Sequence, residues 1–120
     1  MKTDKPVSCL RIYISSTDRI KDMPLSEWLV LEAKKSGLAG ATAIRGFLGY
    51  GASSVIHSYK FWEVSEKVPV VVEMVDEPEK IRVFYEQIQP VLENLRNGCL
   101  VTQTGIDVWL YKAGTQKLLD

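Results

Sequence analysis

From Val7 to Ile14 the side chains alternate, with Leu10, Ile12 and Ile14 on one side and Cys9, Arg11 and Tyr13 on the other. A period of two predicts a strand. Ser15 to Met23 is polar and reads as a loop. A helix is predicted from about Pro24 to Ser36, with Leu25, Trp28, Leu29 and Ala33 turned inward. Pro24 suits a first helical turn, where its missing N–H would find no partner anyway. Gly37 followed by Leu38 predicts a C′ glycine with an apolar C″ neighbour. Ala41 to Leu48 and Val68 to Val75 read as the second and third strands. Asp76 is the expected N-cap of a second helix, and Glu79, three residues on, completes a capping-box pattern. Ile81, Phe84, Tyr85, Ile88, Val91, Leu92 and Leu95 fall on one stripe of that helix. Pro90 is expected to kink or split it, and Asn97-Gly98 to end it. Leu100 to Tyr111 alternates again and predicts a fourth strand, with Gly105 the point where it would break.

The order β-α-β-β-α-β predicts an α+β, ferredoxin-like fold: an antiparallel sheet with two helices on one face. Right-handed crossovers put both helices on the same side. Against that expectation, Val68, Val70, Val71, Val72, Met74 and Val75 form a nearly unbroken apolar run, interrupted only by Pro69 and Glu73. Such a run marks a strand buried on both faces. A fully buried valine contributes roughly 1.5–3 kcal/mol, a large share of a net stability of ~5–15 kcal/mol. The expected remedy is a second copy of the chain, packed sheet face to sheet face.

Composition narrows the class without naming a ligand. The chain has 120 residues, 46% of them apolar and 25% charged, and reads as one domain over 1–120 with its core at about 7–112. Fifteen Lys and Arg balance fifteen Asp and Glu, which removes the basic excess of a protein that lives on nucleic acid. No apolar run reaches the ~18 residues of a membrane span. Two cysteines suit a reducing compartment, and a cytoplasmic location is expected. One histidine and two cysteines without ligand spacing offer no metal site, and no catalytic pair is apparent, so no enzyme is expected.

The segment Gly37-Leu-Ala-Gly-Ala-Thr-Ala-Ile-Arg-Gly-Phe-Leu-Gly-Tyr-Gly-Ala52 resembles the hallmark of a PII-like family, the domain of unknown function 190 family. Leu10-Arg-Ile-Tyr13, Pro24-Leu25, Val55-Ile-His57 and Val68 to Asp76 extend the resemblance over roughly residues 10–111. The family looks like a relative of nitrogen regulatory PII and CutA proteins, which are trimers of ferredoxin-like subunits. The resemblance implies a homotrimeric regulatory, signal-transducing protein with a ligand held between subunits at the base of the long segment 49–67. Candidate ligand residues are then Arg45, Gly46, Gly49, Gly51, His57 and Gly98. Glycines admit the close approach of an anion to backbone N–H groups, and Arg45 would add a bidentate phosphate contact. PII proteins carry a Gly-Asp-Gly-Lys-Ile-type loop where this chain reads Asn97-Gly98-Cys99-Leu100, and phosphate-gripping arginines where it has Trp109 and Tyr111. The lysine and the arginines are gone. An adenine nucleotide of modest charge or a small anion is therefore the implied ligand, rather than ATP gripped as PII grips it.

Each candidate has a plainer reading. Gly46, Gly49 and Gly51 would serve a turn or bulge equally well; their Gly-x-x-Gly-x-Gly spacing follows a strand and opens no helix, which excludes the dinucleotide-binding fingerprint. Arg45 would suit a surface ion pair, and His57 an ordinary exposed or packed position. Tyr59, Phe61 and Trp62, with Lys60 between them, either extend a hairpin against a neighbouring subunit or dock a target, since aromatic residues concentrate binding energy; the resemblance implies a membrane transporter or channel as that target. The alternatives to a regulator are a scaffold oligomer without effector and a CutA-like metal-handling protein.

Overall fold

The computed structural model describes residues 1–51, 57–58 and 67–115. Four strands, β1 (Val7–Ser15), β2 (Gly40–Arg45), β3 (Pro69–Asp76) and β4 (Leu100–Ile106), form one sheet in the order β2-β3-β1-β4. Every neighbouring pair is antiparallel. Helices α1 (Leu25–Lys35) and α2 (Pro78–Glu93) connect β1 to β2 and β3 to β4. This is the ferredoxin-like β-α-β-β-α-β arrangement.

The core lies between the helices and one sheet face. Leu10, Ile12 and Ile14 of β1 stand opposite Met74, Val72 and Val70 of β3, and all six are buried. Leu25, Leu29 and Ala33 of α1 and Ile81, Phe84, Ile88 and Leu92 of α2 close over them. On β3, burial alternates: Val70, Val72 and Met74 are covered, whereas Val71, Glu73 and Val75 are half-buried on the open face. A single chain thus hides only every second residue of the apolar run. On the open face Arg11 and Glu73 form an ion pair at 2.7 Å. Tyr13, Ile44 and Leu100 are exposed, and each stands on that face by register.

The polar loop after β1 is more ordered than its composition suggests. Arg19–Ile20 pairs with Met23–Pro24 across Lys21 and Asp22, both at positive φ (50° and 66°). Two consecutive positive φ values are the geometry of a primed two-residue turn. Pro24 stands at the N-cap, one residue before α1 begins, and the Leu25 N–H donates to the Asp18 carbonyl at 2.8 Å. At the other end, Gly37 has φ 77°. Its N–H donates to the Lys34 carbonyl, and the Leu38 N–H to the Ala33 carbonyl. These are the two bonds of a Schellman stop, with the glycine at C′ as expected.

Several expectations change. Asp76 does not cap α2; the N-cap is Glu77, with Pro78 opening the helix and no side-chain cap. Asp76 ends β3 instead, buried, where its carboxylate accepts the N–H groups of Ala39 (2.8 Å) and Glu77 (2.6 Å) and faces Lys80 at 3.4 Å. Proline moves the start, because it lacks an N–H to be capped and its φ already suits the first turn. Glu79 pairs with Arg82 rather than completing a capping box. Pro90 does not split the helix, which continues to Glu93 and ends there rather than at Asn97-Gly98. Finally, β4 stops at Ile106 instead of running to Tyr111. Ile106 is opposite Val7, the first residue of β1, so the strand has outrun its neighbour. Trp109 consequently stands 94% exposed.

Candidate functional site

At the end of the sheet where β2 stops, β1 finishes and β3 begins, two loops meet. The segment after β2 carries Gly46, Leu48, Gly49, Tyr50 and Gly51; the segment before β4 carries Asn97 and Gly98. Together with Tyr13, Ser15, Pro69 and Val71 they line a cleft of about 320 Å³, a size typical of small-molecule sites. Two of the glycines, Gly46 and Gly49, stand against Pro69. The Gly46 N–H donates to the Pro69 carbonyl at 2.7 Å. A Cβ on Gly46 would lie 3.0 Å from Pro69 Cγ, and one on Gly49 would lie 3.4 Å from the same atom. Leu48 and Gly49 pair with Ser58 and His57, which brings the far end of the intervening segment back beside the cleft.

Of the six candidate ligand residues, the fold gathers Gly46, Gly49, Gly51 and Gly98 around one cavity. Arg45 is exposed, and its pairing with Val70 sets it on the helix side of β2, away from the lining. His57 is beside the cleft through its backbone pairing with Gly49. Tyr59, Lys60, Phe61 and Trp62 lie outside the described residues. Trp109 and Tyr111 follow the end of β4 and do not line the cleft.

No charged side chain lines the cleft among the described residues. Its chemistry is that of two phenol rings, Tyr13 and Tyr50, the Ser15 hydroxyl, the Asn97 amide and a glycine-rich backbone. Rings suit stacking on a planar group, and backbone N–H groups suit a carboxylate or phosphate oxygen. One residue behind this wall was not singled out above: Asp18. Its carboxylate accepts the Ser15 N–H at 2.8 Å and the Asn97 side-chain amide at 2.7 Å, so it links the end of β1 to the loop before β4. Its sequence signal is no more than an aspartate in a polar loop.

A larger hollow of about 470 Å³ lies between α2 and β4. In its lining Gln103 donates to Ser8 at 2.6 Å, and Arg82 is held by Glu79 and Glu86. Burial raises the pKa of Cys9 and of Cys99, and the nearby Asp18 raises Cys99 further. Both thiols are free, at opposite ends of adjacent antiparallel strands. Among the described residues no three His, Cys, Asp or Glu side chains could together hold a metal ion, and no helix is long and apolar enough to cross a membrane.

Comparison with known proteins adds family and fold. The DUF190 family, described as "Uncharacterized ACR", matches residues 7–108. A UPF0166 protein of Aquifex aeolicus is 40% identical over 80 residues, covering 67% of this chain and 76% of its own. A UPF0166 protein of Methanocaldococcus jannaschii is 28% identical over 106 residues, 88% of this chain and 93% of its own. Among solved structures, CPII from Thiomonas intermedia K12, a nitrogen regulatory PII-like protein bound to ADP, AMP and bicarbonate, superposes with a TM-score of 0.60 at 16% identity. The match covers 86% of this chain and 90% of that one.

Proposed function

The chain belongs to the DUF190 family and has the fold of the PII-like proteins, and on that footing we propose that it is a regulatory protein whose glycine cleft takes an adenine nucleotide or a small anion. The observation that carries this reading is the convergence of Gly46, Gly49, Gly51 and Gly98, from two distant segments, on one cavity beside two tyrosine rings. CPII, bound to ADP, AMP and bicarbonate, supports the ligand class. The uncharged lining argues for a ligand that carries less charge than a triphosphate, such as AMP, ADP or bicarbonate.

The open sheet face supports a homotrimer. Tyr13 and Val71 belong both to that face and to the cleft wall, so a second copy seated on the sheet would border the ligand. Ligand occupancy would then bias residues 49–67, and that segment would dock a membrane transporter or channel in the cytoplasm. A ligand regulates in this way only through unequal affinity for two states.

Thermal shift with ADP, AMP and bicarbonate tests the ligand. A ligand at a hundred times its Kd adds ~2.7 kcal/mol, which raises Tm by about 10 °C for a chain of this length. No shift with any of the three at millimolar concentration refutes the reading. Light scattering tests the assembly: Val71→Asp, which leaves the core untouched, should convert a trimer to monomers, and a monomeric wild-type protein would remove the shared-cleft picture.

A further inference from the structure

We infer that Asp18 is a positioning residue for the glycine cleft: its carboxylate ties the end of β1 to the loop before β4 and so holds Asn97 and Gly98 at the cleft wall. The inference rests on the cleft being the ligand site.

Asp18 is only 5% exposed although it sits in a polar loop. Its two carboxylate oxygens are divided between partners, Oδ2 accepting the Ser15 N–H at 2.8 Å and Oδ1 the Asn97 Nδ2–H at 2.7 Å, across a gap of 79 residues in sequence. Its own N–H donates to the Ser15 carbonyl at 3.0 Å, and its carbonyl accepts the first N–H of α1. No Lys or Arg forms an ion pair with it among the described residues. A buried carboxylate without a cation is costly to keep, and here the dipoles of two cleft-lining residues satisfy it. The reverse also holds. Asn97 and Gly98 follow the end of α2 in a stretch with no regular structure, where the ladder bonds that order a strand are absent. A bond from a charged acceptor is worth about twice a neutral one, and this one fixes the loop that contributes Gly98. The hydrogen bonds of Asp18 go to Ser15, Asn97 and Leu25 and not to a ring or glycine of the cleft. Its role is to hold the loop that carries Gly98.

The test uses the full chain and two measurements: hydrogen exchange at the amides of residues 97–99 without ligand, and calorimetric titration with ADP. In Asp18→Asn the side chain keeps its shape but has one acceptor for two donors, so one N–H faces another. Exchange at residues 97–99 should then accelerate and ADP should bind about tenfold more weakly, while the amides of β1 and β3 stay protected. The pair D18N/N97D restores complementarity, because the amide oxygen at 18 takes the Ser15 N–H and its NH2 donates to the carboxylate at 97; slow exchange should return. Asn97→Ala, at an exposed position, removes the same bond should D18N not fold, and carries the same expectation. If the wild-type protein binds ADP and the variants bind it equally well, or exchange at 97–99 does not change, the inference is overturned and the cleft remains the ligand site. If the wild-type protein does not bind ADP, the cleft reading fails first, and the positioning role with it.

Discussion

Gly46 lies against Pro69 so closely that a single methyl group should register as a loss of stability. The Gly46 N–H···O contact to Pro69 measures 2.7 Å. A Cβ there would meet Pro69 Cγ at 3.0 Å, with Pro69 O at 3.5 Å and Pro69 Cβ at 3.7 Å. Carbon atoms rest at about 3.5–4.0 Å, so the methyl overlaps the ring by about half an ångström. A proline ring cannot swing aside as a flexible side-chain end can, and the hydrogen bond holds the two backbones together. Overpacking of this kind costs about 1–3 kcal/mol. Replacing glycine restricts the unfolded chain and returns about 0.4–1 kcal/mol. The difference leaves Gly46→Ala destabilised by up to about 2.6 kcal/mol. At about 0.25 kcal/mol per degree for a chain of this length, Tm should fall by up to about 10 °C. Gly105→Ala is the control, since nothing lies within 4 Å of a Cβ at that position of β4. It should melt at or slightly above the wild type, because glycine weakens a strand interior. Scanning calorimetry on the two variants decides. A Gly46→Ala protein that melts no lower than Gly105→Ala refutes the close approach as the reason for glycine at 46.

Three further outcomes follow from burial and charge. Phe84→Ala empties the largest of the fully buried side chains and should cost about 3–5 kcal/mol, seen as a lower urea midpoint at unchanged m. Asp76→Asn leaves one of two accepted N–H groups, from Ala39 or Glu77, facing another donor, and should cost about 1–3 kcal/mol in the same assay. Burial raises the Cys9 thiol above its ordinary pKa, so the folded protein keeps a proton that the unfolded chain sheds. That contribution is complete below about pH 8.5 and is lost as pH rises through the higher folded value. Urea midpoints between pH 7.5 and 10 should therefore fall less steeply in Cys9→Ala; identical slopes would refute the assignment.

The cleft and the open sheet face are joined through Tyr13 and Val71, which belong to both. A ligand in the cleft and a partner on the sheet would therefore press on the same two residues. If the proposed ligand and assembly hold, ADP affinity depends on protein concentration in the range where copies dissociate, which titrations at several concentrations would reveal.

Local periodicity carried much of this architecture. The alternation in β1, the apolar stripe of α2 and the Gly37-Leu38 stop are written within a few residues of one another, because each reports burial against, or closure of, its own element. The family resemblance grouped Gly46, Gly49, Gly51 and Gly98, and the four do line one cavity. What the tertiary structure alone decided involves partners remote in sequence. Asp76 reads as a cap until Ala39 arrives beside it, and Leu100–Tyr111 reads as one strand until β1 begins too late to pair beyond Ile106. Asp18 reads as loop solvation until Asn97 folds against it. Register and long-range hydrogen bonds settle such positions, and their free energy exists only once the chain has closed on itself.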